Sequence, residues 1–228
     1  MIITIDGPIA TGKSTIAKTL AEQIGFIYFD TGAMYRCLTY AVLKENSNLQ
    51  DPEVLKKFLE QFEFTVKIKH RERFYFVGEE DVTHKIRGPE VTGAVSRISA
   101  IPEVREKLVK VQRELAIGVN AVFEGRDMGS VVFPDAKVKI FLTGDPEIRA
   151  RRRYEELRQK YPKETEGLTL QKVLEDINER DRKDSTREIS PLIKPEGACV
   201  IDTSNYTIDE IVFKILEYKD SLRTHTTL

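Results

Sequence analysis

The residues with the clearest chemical potential lie near the start of the chain. Residues 7–14 read GPIATGKS and match the pattern G-x-x-x-x-G-K-[ST] at every fixed position. Gly7 and Gly12 let the backbone turn its N–H groups toward phosphate oxygens, and the following helix N-terminus adds positive potential. Lys13 is suited to the β- and γ-phosphates, and the Ser14 hydroxyl is suited to Mg²⁺. The motif predicts a nucleoside triphosphate site made of Gly7, Pro8, Ile9, Ala10, Thr11, Gly12, Lys13, Ser14 and Thr15.

Two further groups of polar residues follow predicted strands, where open α/β sheets bind their ligands. The first, residues 30–36, contains Asp30, Thr31 and Arg36. Arg36 lies one turn into a helix, and its planar guanidinium suits a phosphate. The alternative for Asp30 or Thr31 is a helix cap. In the second group, Arg126 and Asp127 lie between glycines, and the alternative there is an ion pair in a surface turn.

A third group is the arginine-rich segment from about residue 147 to residue 190. Arginines stabilise the negative charge that spreads over a phosphoryl group during transfer. The candidates for a closing lid are Arg152, Arg153, Arg180 and Arg187. Ordinary helix-surface ion pairs are the alternative, because acids lie close by in the same segment, namely Glu155, Glu156, Glu179 and Asp181.

The combination of a phosphate-binding loop and surplus arginines favours an acceptor that is itself a phosphate. A phosphate monoester is largely dianionic at neutral pH and needs charged partners more than a base. A hydroxyl acceptor needs a positioned base, and the sequence has no His-Arg-Asp catalytic loop. It also has no Asn-Lys-x-Asp element of the kind that reads guanine in GTPases.

The elements that must position these residues alternate between strands and helices. Such alternation predicts an α/β fold with a parallel sheet flanked by helices. The predicted strands are Ile2–Asp6, Phe26–Phe29, Val119–Phe123, Lys137–Leu142 and Ala198–Ile201. The predicted helices are Lys13–Ile24, Gly32–Leu43 and Ile208–Tyr218, and most of Glu147–Ser190 is also expected to be helical.

The middle of the chain departs from this alternation and predicts an insertion on the acceptor side. A helix at Pro52–Glu60 is followed by two alternating runs, Phe62–Lys69 and Phe74–Gly78, which predict a hairpin with residues 70–73 in its charged turn. The predicted organisation is one P-loop kinase domain. Its core covers residues 1–50, 119–147 and 190–220, the insertion about 51–118, and the lid about 148–189. The polar tail at 221–228 is expected to be frayed.

Composition excludes some classes of partner. Lysine and arginine total 36 against 37 acidic residues, so there is no global basic field for nucleic acid. The two cysteines, Cys37 and Cys199, are expected to be buried thiols in a reducing compartment. No secretion signal or membrane span is predicted, so we expect a cytoplasmic protein, with a monomer as the default.

With these elements assembled, the sequence resembles the bacterial cytidylate kinases, which are nucleoside monophosphate kinases. The resemblance runs from Ile2 to about Tyr218. It includes the entry to the phosphate loop and the segments 30–36, 81–87, 102–105, 125–129, 132–136 and 179–181. Asp184 and Arg187 complete it. Three departures from the family pattern are Glu124, where the pattern has Asp, Thr31, where Ser is common, and Ser14. The last two keep a hydroxyl group.

The resemblance implies transfer of a phosphoryl group from ATP to CMP or dCMP with Mg²⁺, on a P-loop core with an acceptor-binding insertion and a mobile lid. It implies that Ser96, Arg105 and Asp127 read cytosine, and that Arg180 and Asp184 grip the sugar. The acceptor phosphate would be held by Tyr35, Arg36, Arg126 and Arg187, with Thr31 at the same site. Arg152 and Arg153 would face ATP.

Two other functions remain open from the residues alone. One is a related kinase that acts on UMP or on a hydroxyl metabolite. The other is a non-catalytic ATP-binding module that docks RNA or a protein partner through its arginines, although interleaved acids argue against RNA.

Overall fold

Five strands in the order β2-β6-β1-β7-β8 form the central sheet of the structure, a computed structural model that describes residues 1–69 and 72–224. The strands are β1 (Ile2–Asp6), β2 (Ile27–Asp30), β6 (Ala121–Gly125), β7 (Val138–Thr143) and β8 (Cys199–Asp202). β1 pairs in parallel with β6 and β7, and β7 with β8. The predicted α/β architecture with a parallel sheet is therefore confirmed.

The sheet belongs to the first of two units, which we call the core unit and which comprises Met1–Phe29 and Ala116–Leu228. Its helices are α1 (Lys13–Ile24), α6 (Pro146–Lys160), α7 (Leu170–Thr186) and α8 (Ile208–Thr224). α1 has the predicted bounds, and it buries Ile16 and Leu20 against strand residues such as Ile3 and Ile140. α1 stops at Gly25, whose φ of 68° is a left-handed conformation that glycine adopts at little cost.

The second unit, which we call the insertion unit, is Asp30–Leu115. It contains the helices α2 (Thr31–Glu45), α3 (Pro52–Gln61), α4 (Pro89–Ile98) and α5 (Pro102–Leu115), the strands β3 (Phe64–Lys69), β4 (Glu72–Val77) and β5 (Glu80–Asp81), and a 3₁₀ turn at Lys85–Arg87. β3 and β4 form the antiparallel hairpin that the alternating runs predicted. Of the four predicted turn residues, Glu72 and Arg73 instead begin β4, because they pair with Lys69 and Ile68 of β3. The other two, His70 and Arg71, lie outside the described residues.

The insertion unit has its own apolar core. Leu38 on α2, Phe58 on α3, Tyr75 on β4 and Leu108 on α5 belong to a single buried cluster. Because α2 contributes much of this cluster, the unit begins at Asp30 rather than near residue 51.

Three helices differ from the sequence-based expectation. The sequence analysis predicts no helix within residues 89–115, but the structure has two there, α4 and α5. α4 buries Val91 and Val95 and α5 buries Val104 and Leu108, each pair at helical spacing. The expectation of a frayed tail was wrong for Ser221–Thr224, which continue α8. The rest of that prediction, residues 225–228, lies outside the described residues.

Both cysteines are free thiols. Cys37 is buried as expected, whereas Cys199 is only half-buried because it lies on β8, an edge strand of the sheet. Within residues 1–69 and 72–224, no helix has both the length and the apolar composition that a membrane crossing requires.

Candidate active site

The loop between β1 and α1 has an unusual backbone that its residue types permit. Gly7 has a φ of 151°, and a side chain there would collide with the carbonyl oxygen of Leu142. Gly12 has a φ of 83° and caps α1, so the loop ends where the helix N-terminus begins. Ala10 has a φ of 61°, which is uncommon for a residue other than glycine. The loop therefore has the turn that brings successive backbone N–H groups onto phosphate oxygens.

The Lys13 side chain lies inside this loop. Its ammonium donates to the carbonyl oxygen of Pro8 at 2.6 Å and lies 3.4 Å from the hydroxyl of Thr11. Burial lowers the pKa of Lys13, and the positive charge of Arg126 lowers it further. A phosphate group in the loop would supply the negative partner that stabilises the charged form.

Ser14 and Glu124 form a pair that sequence analysis did not assign. The Ser14 hydroxyl donates to Glu124 Oε1 at 2.6 Å, and the Tyr28 hydroxyl donates to the same oxygen at 3.1 Å. Glu124 is buried near the carboxyl end of β6, next to β1. The sequence does contain a pattern that could have pointed to Glu124: it directly follows the apolar residues 121–123. In P-loop proteins, an acidic residue after an apolar strand is typical of the carboxylate near the metal ion.

The oxygen atoms of this pair are ligands that Mg²⁺ prefers, so the donor set fits that ion. Among the described residues, no group of three or more histidine, cysteine or acidic side chains could hold a metal ion by itself. Mg²⁺ does not require such a group, because it is usually held by one or two protein oxygens together with substrate phosphates.

A second loop leaves the sheet beside the first. β6 ends at Gly125, the register partner of Asp6 at the end of β1. The buried Asp6 carboxylate accepts hydrogen bonds from the backbone N–H groups of Met128 at 2.8 Å and Gly129 at 2.7 Å. Desolvation nevertheless raises the pKa of Asp6 to about 7. Asp6 thus fixes the turn that carries Arg126 and Asp127.

The structure brings four of the predicted acceptor-site residues together as two charge pairs in the core unit. Arg126 Nε donates to Asp184 Oδ2 at 3.0 Å. Arg187 lies 3.9 Å from Asp127, and both side chains are almost fully buried. The positive charge of Arg180 on α7 also lowers the pKa of Lys13.

Arg152 and Arg153, the two predicted lid arginines on α6, contact neighbouring groups of the protein. Arg152 donates to the backbone carbonyls of Thr203 at 2.8 Å and Ser204 at 3.1 Å, in the loop that follows β8. Arg153 pairs with Glu156 at 2.8 Å on its own helix, which is the ordinary surface pair raised as an alternative.

In the insertion unit, Asp30 caps α2 by accepting from the Ala33 N–H at 2.8 Å. Thr31 is the buried first residue of that helix. Arg36 donates to the Ile86 carbonyl at 3.1 Å and to the Thr92 hydroxyl at 2.9 Å, which fixes the direction of its guanidinium.

The remaining predicted residues of the insertion unit also lie near one another. The Arg105 guanidinium carbon is 5.3 Å from the centre of the Tyr35 ring, and the same guanidinium donates to the Ser99 carbonyl at 3.1 Å. The Ser99 hydroxyl in turn donates to the carbonyl of Ser96. Arg105 is almost fully buried, which a charged side chain tolerates only with such partners.

Comparison with known proteins adds an independent finding. A family model described as cytidylate kinase matches residues 3–221. A protein named cytidylate kinase from Protochlamydia amoebophila is 64% identical over 98% of both chains. Another of that name, from Caldanaerobacter subterraneus subsp. tengcongensis, is 50% identical over 94% of this chain and 92% of its own. Among solved structures, a protein from Eubacterium ventriosum is similar in fold, with a TM-score of 0.50, 15% identity and coverage of 97% and 98% of the two chains.

Replacing Asp6 with Asn should change how stability depends on pH. The pKa of Asp6 is raised from 3.8 to about 7 in the folded protein, so the unfolded chain releases this proton first. The contribution of Asp6 to the free energy of unfolding therefore falls as the pH rises from about 4 through about 7. Urea unfolding of both proteins across that range should show the stability of Asp6→Asn improving relative to the original with rising pH. A difference that stays constant, or moves the other way, would contradict the assigned burial effect.

Proposed function

The chain belongs to the cytidylate kinase family, and from that membership we propose how its residues transfer the γ-phosphate of ATP to CMP or dCMP. The observation that carries the proposal is the common origin of two loops in the core unit. The phosphate loop leaves β1 after Asp6, and the turn with Arg126 and Asp127 leaves β6 after Gly125. Since Asp6 and Gly125 are register partners, groups suited to a triphosphate and to an anionic acceptor start from the same edge of the sheet.

On the donor side, the backbone N–H groups of residues 7–14 and the ammonium of Lys13 bind the β- and γ-phosphates. Ser14 and Glu124 would hold Mg²⁺, which neutralises phosphate charge when it is bound. The buried Tyr28 hydroxyl, which donates to Glu124, fixes the direction of that carboxylate.

On the acceptor side, the residues divide by the part of CMP that their chemistry suits. Asp127 accepts from the exocyclic amine of cytosine, and Ser96 and Arg105 donate to the acceptor atoms of the ring. The acceptor phosphate is held by Thr31, Tyr35, Arg36, Arg126 and Arg187. The Arg180 and Asp184 side chains bind the sugar hydroxyls. Asp184 balances the charge of Arg126, and this largely buried pair supports a site for an anion.

The transfer step requires positioning and charge stabilisation, not a covalent intermediate. The acceptor phosphate is already a nucleophile, so no side chain has to remove a proton from it. Arginines stabilise the charge on the transferring group, and Arg152 and Arg153 take this role if α6 and α7 close over ATP. A cytoplasmic location and a monomeric state stay predictions.

Acceptor preference can be tested by following ADP release with ATP and Mg²⁺ against CMP, dCMP, UMP, AMP and GMP in turn. We expect fast turnover with CMP and dCMP, weak turnover with UMP, and none with the purines. Arg126→Ala should lower kcat by on the order of 100-fold while the protein stays folded.

Arg182→Ala is a matched control, since Arg182 is an exposed arginine on α7 that pairs with Glu179. It should leave turnover unchanged. Near-normal turnover in folded Arg126→Ala would remove Arg126 from the mechanism, and inactivity toward all five nucleotides would overturn the proposed acceptor.

The role of Glu124 can be tested with Glu124→Gln, which keeps the shape of the side chain and removes its charge. The Mg²⁺ concentration for half-maximal activity should rise by about 10-fold or more, because a neutral amide is a weaker partner for the ion. Tyr28→Phe, which removes only the second hydrogen bond to Glu124, should have a smaller effect. An unchanged Mg²⁺ dependence in Glu124→Gln would exclude Glu124 from the metal site.

A further inference from the structure

One ion pair holds both polar backbone groups of Ile9, in the middle of the phosphate loop. The Ile9 N–H donates to Asp181 Oδ1 at 3.0 Å, and its carbonyl accepts from Arg149 Nη1 at 3.0 Å. The two side chains are joined by a 2.6 Å contact between Arg149 Nη1 and Asp181 Oδ2. Arg149 belongs to α6 and Asp181 to α7, so two helices contact the same residue of the loop.

This ion pair is largely buried and makes further hydrogen bonds, unlike the exposed pairs on the same helices. The side chains of Arg149 and Asp181 are 5% and 18% exposed, and Arg149 Nε also donates to the Gly144 carbonyl at 2.9 Å. By contrast, Lys172 and Asp176 on α7 form a pair in which both side chains are about 60% exposed. A buried pair with defined hydrogen bonds fixes geometry in a way that an exposed pair does not.

An apolar contact reinforces the polar one. Ile9 and Ala10 pack against a buried cluster of Ala150, Val173 and Ile177 from α6 and α7. Ala10 is also the loop residue with a φ of 61°. A non-glycine residue keeps such a conformation only where its surroundings enforce it, and here the neighbouring residue is held on both sides.

We propose that Arg149 and Asp181 are positioning residues that hold the phosphate loop in the conformation required by the ATP triphosphate. The inference rests on the proposed function for the identity of the donor. Neither side chain has to touch the reacting atoms: they restrict the loop so that its other N–H groups already point at the phosphates before ATP arrives. Restricting the loop in advance lowers the entropic cost of binding and so favours a lower Kd.

The opposite interpretation makes a different prediction. If the Asp181 carboxylate only occupies a position that a phosphate should take, its removal would free the Ile9 N–H and tighten ATP binding. The direction of the change in Kd therefore distinguishes positioning from competition.

The test is calorimetric titration of the full chain with ATP and Mg²⁺ in the absence of CMP. Asp181→Asn keeps the size of the side chain but removes the charge that pairs with Arg149. We expect the Kd for ATP to rise by about 10-fold or more, and the KM for CMP at saturating ATP to stay within about twofold of the original. Asp176→Asn, which removes an exposed acid of the same helix, is the matched control and should change neither value.

A second variant covers the case in which Asp181→Asn fails to fold. The double variant Arg149→Met/Asp181→Leu leaves no unpaired buried charge and is expected to fold, which thermal unfolding will show. Its Kd for ATP should be raised to a similar extent. An unchanged or lower Kd in either folded variant would overturn the proposal. Because ATP binding is measured without an acceptor, a failure of the CMP assignment would leave this result interpretable.

Discussion

Two hydrogen bonds between the Asp6 carboxylate and the backbone of Met128 and Gly129 connect the two loops of the site in the core unit. They join the end of β1, which enters the phosphate loop, to the turn after β6, which carries Arg126 and Asp127. The junction is too crowded for a larger residue, since a methyl group at Gly129 would lie 2.9 Å from the Thr4 hydroxyl. Burying a carboxylate here costs stability, and the raised pKa of Asp6 expresses that cost. The gain is a fixed relation between the two loops that we propose bind the two substrates.

Other largely buried charges of the core unit likewise cost stability by losing contact with water, and in return have fixed positions. Arg126 with Asp184 and Arg149 with Asp181 are pairs in which each charge compensates its partner. Burial and the positive charge of Arg126 lower the pKa of Lys13. In such an environment, the negative charges of nucleotides interact strongly with the protein, because water screens them poorly. A family that acts on two anionic substrates benefits from charges that are oriented before either arrives.

Local sequence patterns predicted the parts of the fold that depend on neighbouring residues. The strand, loop and helix of residues 2–24 could be predicted because the glycines, lysine and apolar spacing all act within a few residues. The cap at Asp30 and the pairing of Arg153 on its own helix are local for the same reason.

Long-range contacts could not be predicted in this way. Glu124 lies 110 residues from Ser14, Gly129 lies 123 from Asp6, and Asp181 lies 172 from Ile9. No spacing rule connects such residues, because their contact depends on the order of strands in the sheet and on the packing of α6 and α7. Family resemblance supplied candidate roles for Asp127 and Arg126, but it left Glu124 and Arg149 without a role.

We propose above all that the buried Asp127 carboxylate selects cytosine over uracil. The most direct measurement is kcat/KM for CMP and for UMP in the original protein and in Asp127→Asn. A carboxylate accepts from the amine of cytosine and repels the carbonyl oxygen that uracil has in its place, whereas an amide can donate to that oxygen. The ratio of CMP to UMP preference should therefore fall by about 10-fold or more in the variant. An unchanged ratio, with both activities lowered equally, would contradict the assignment and leave Asp127 as a structural partner of Arg187.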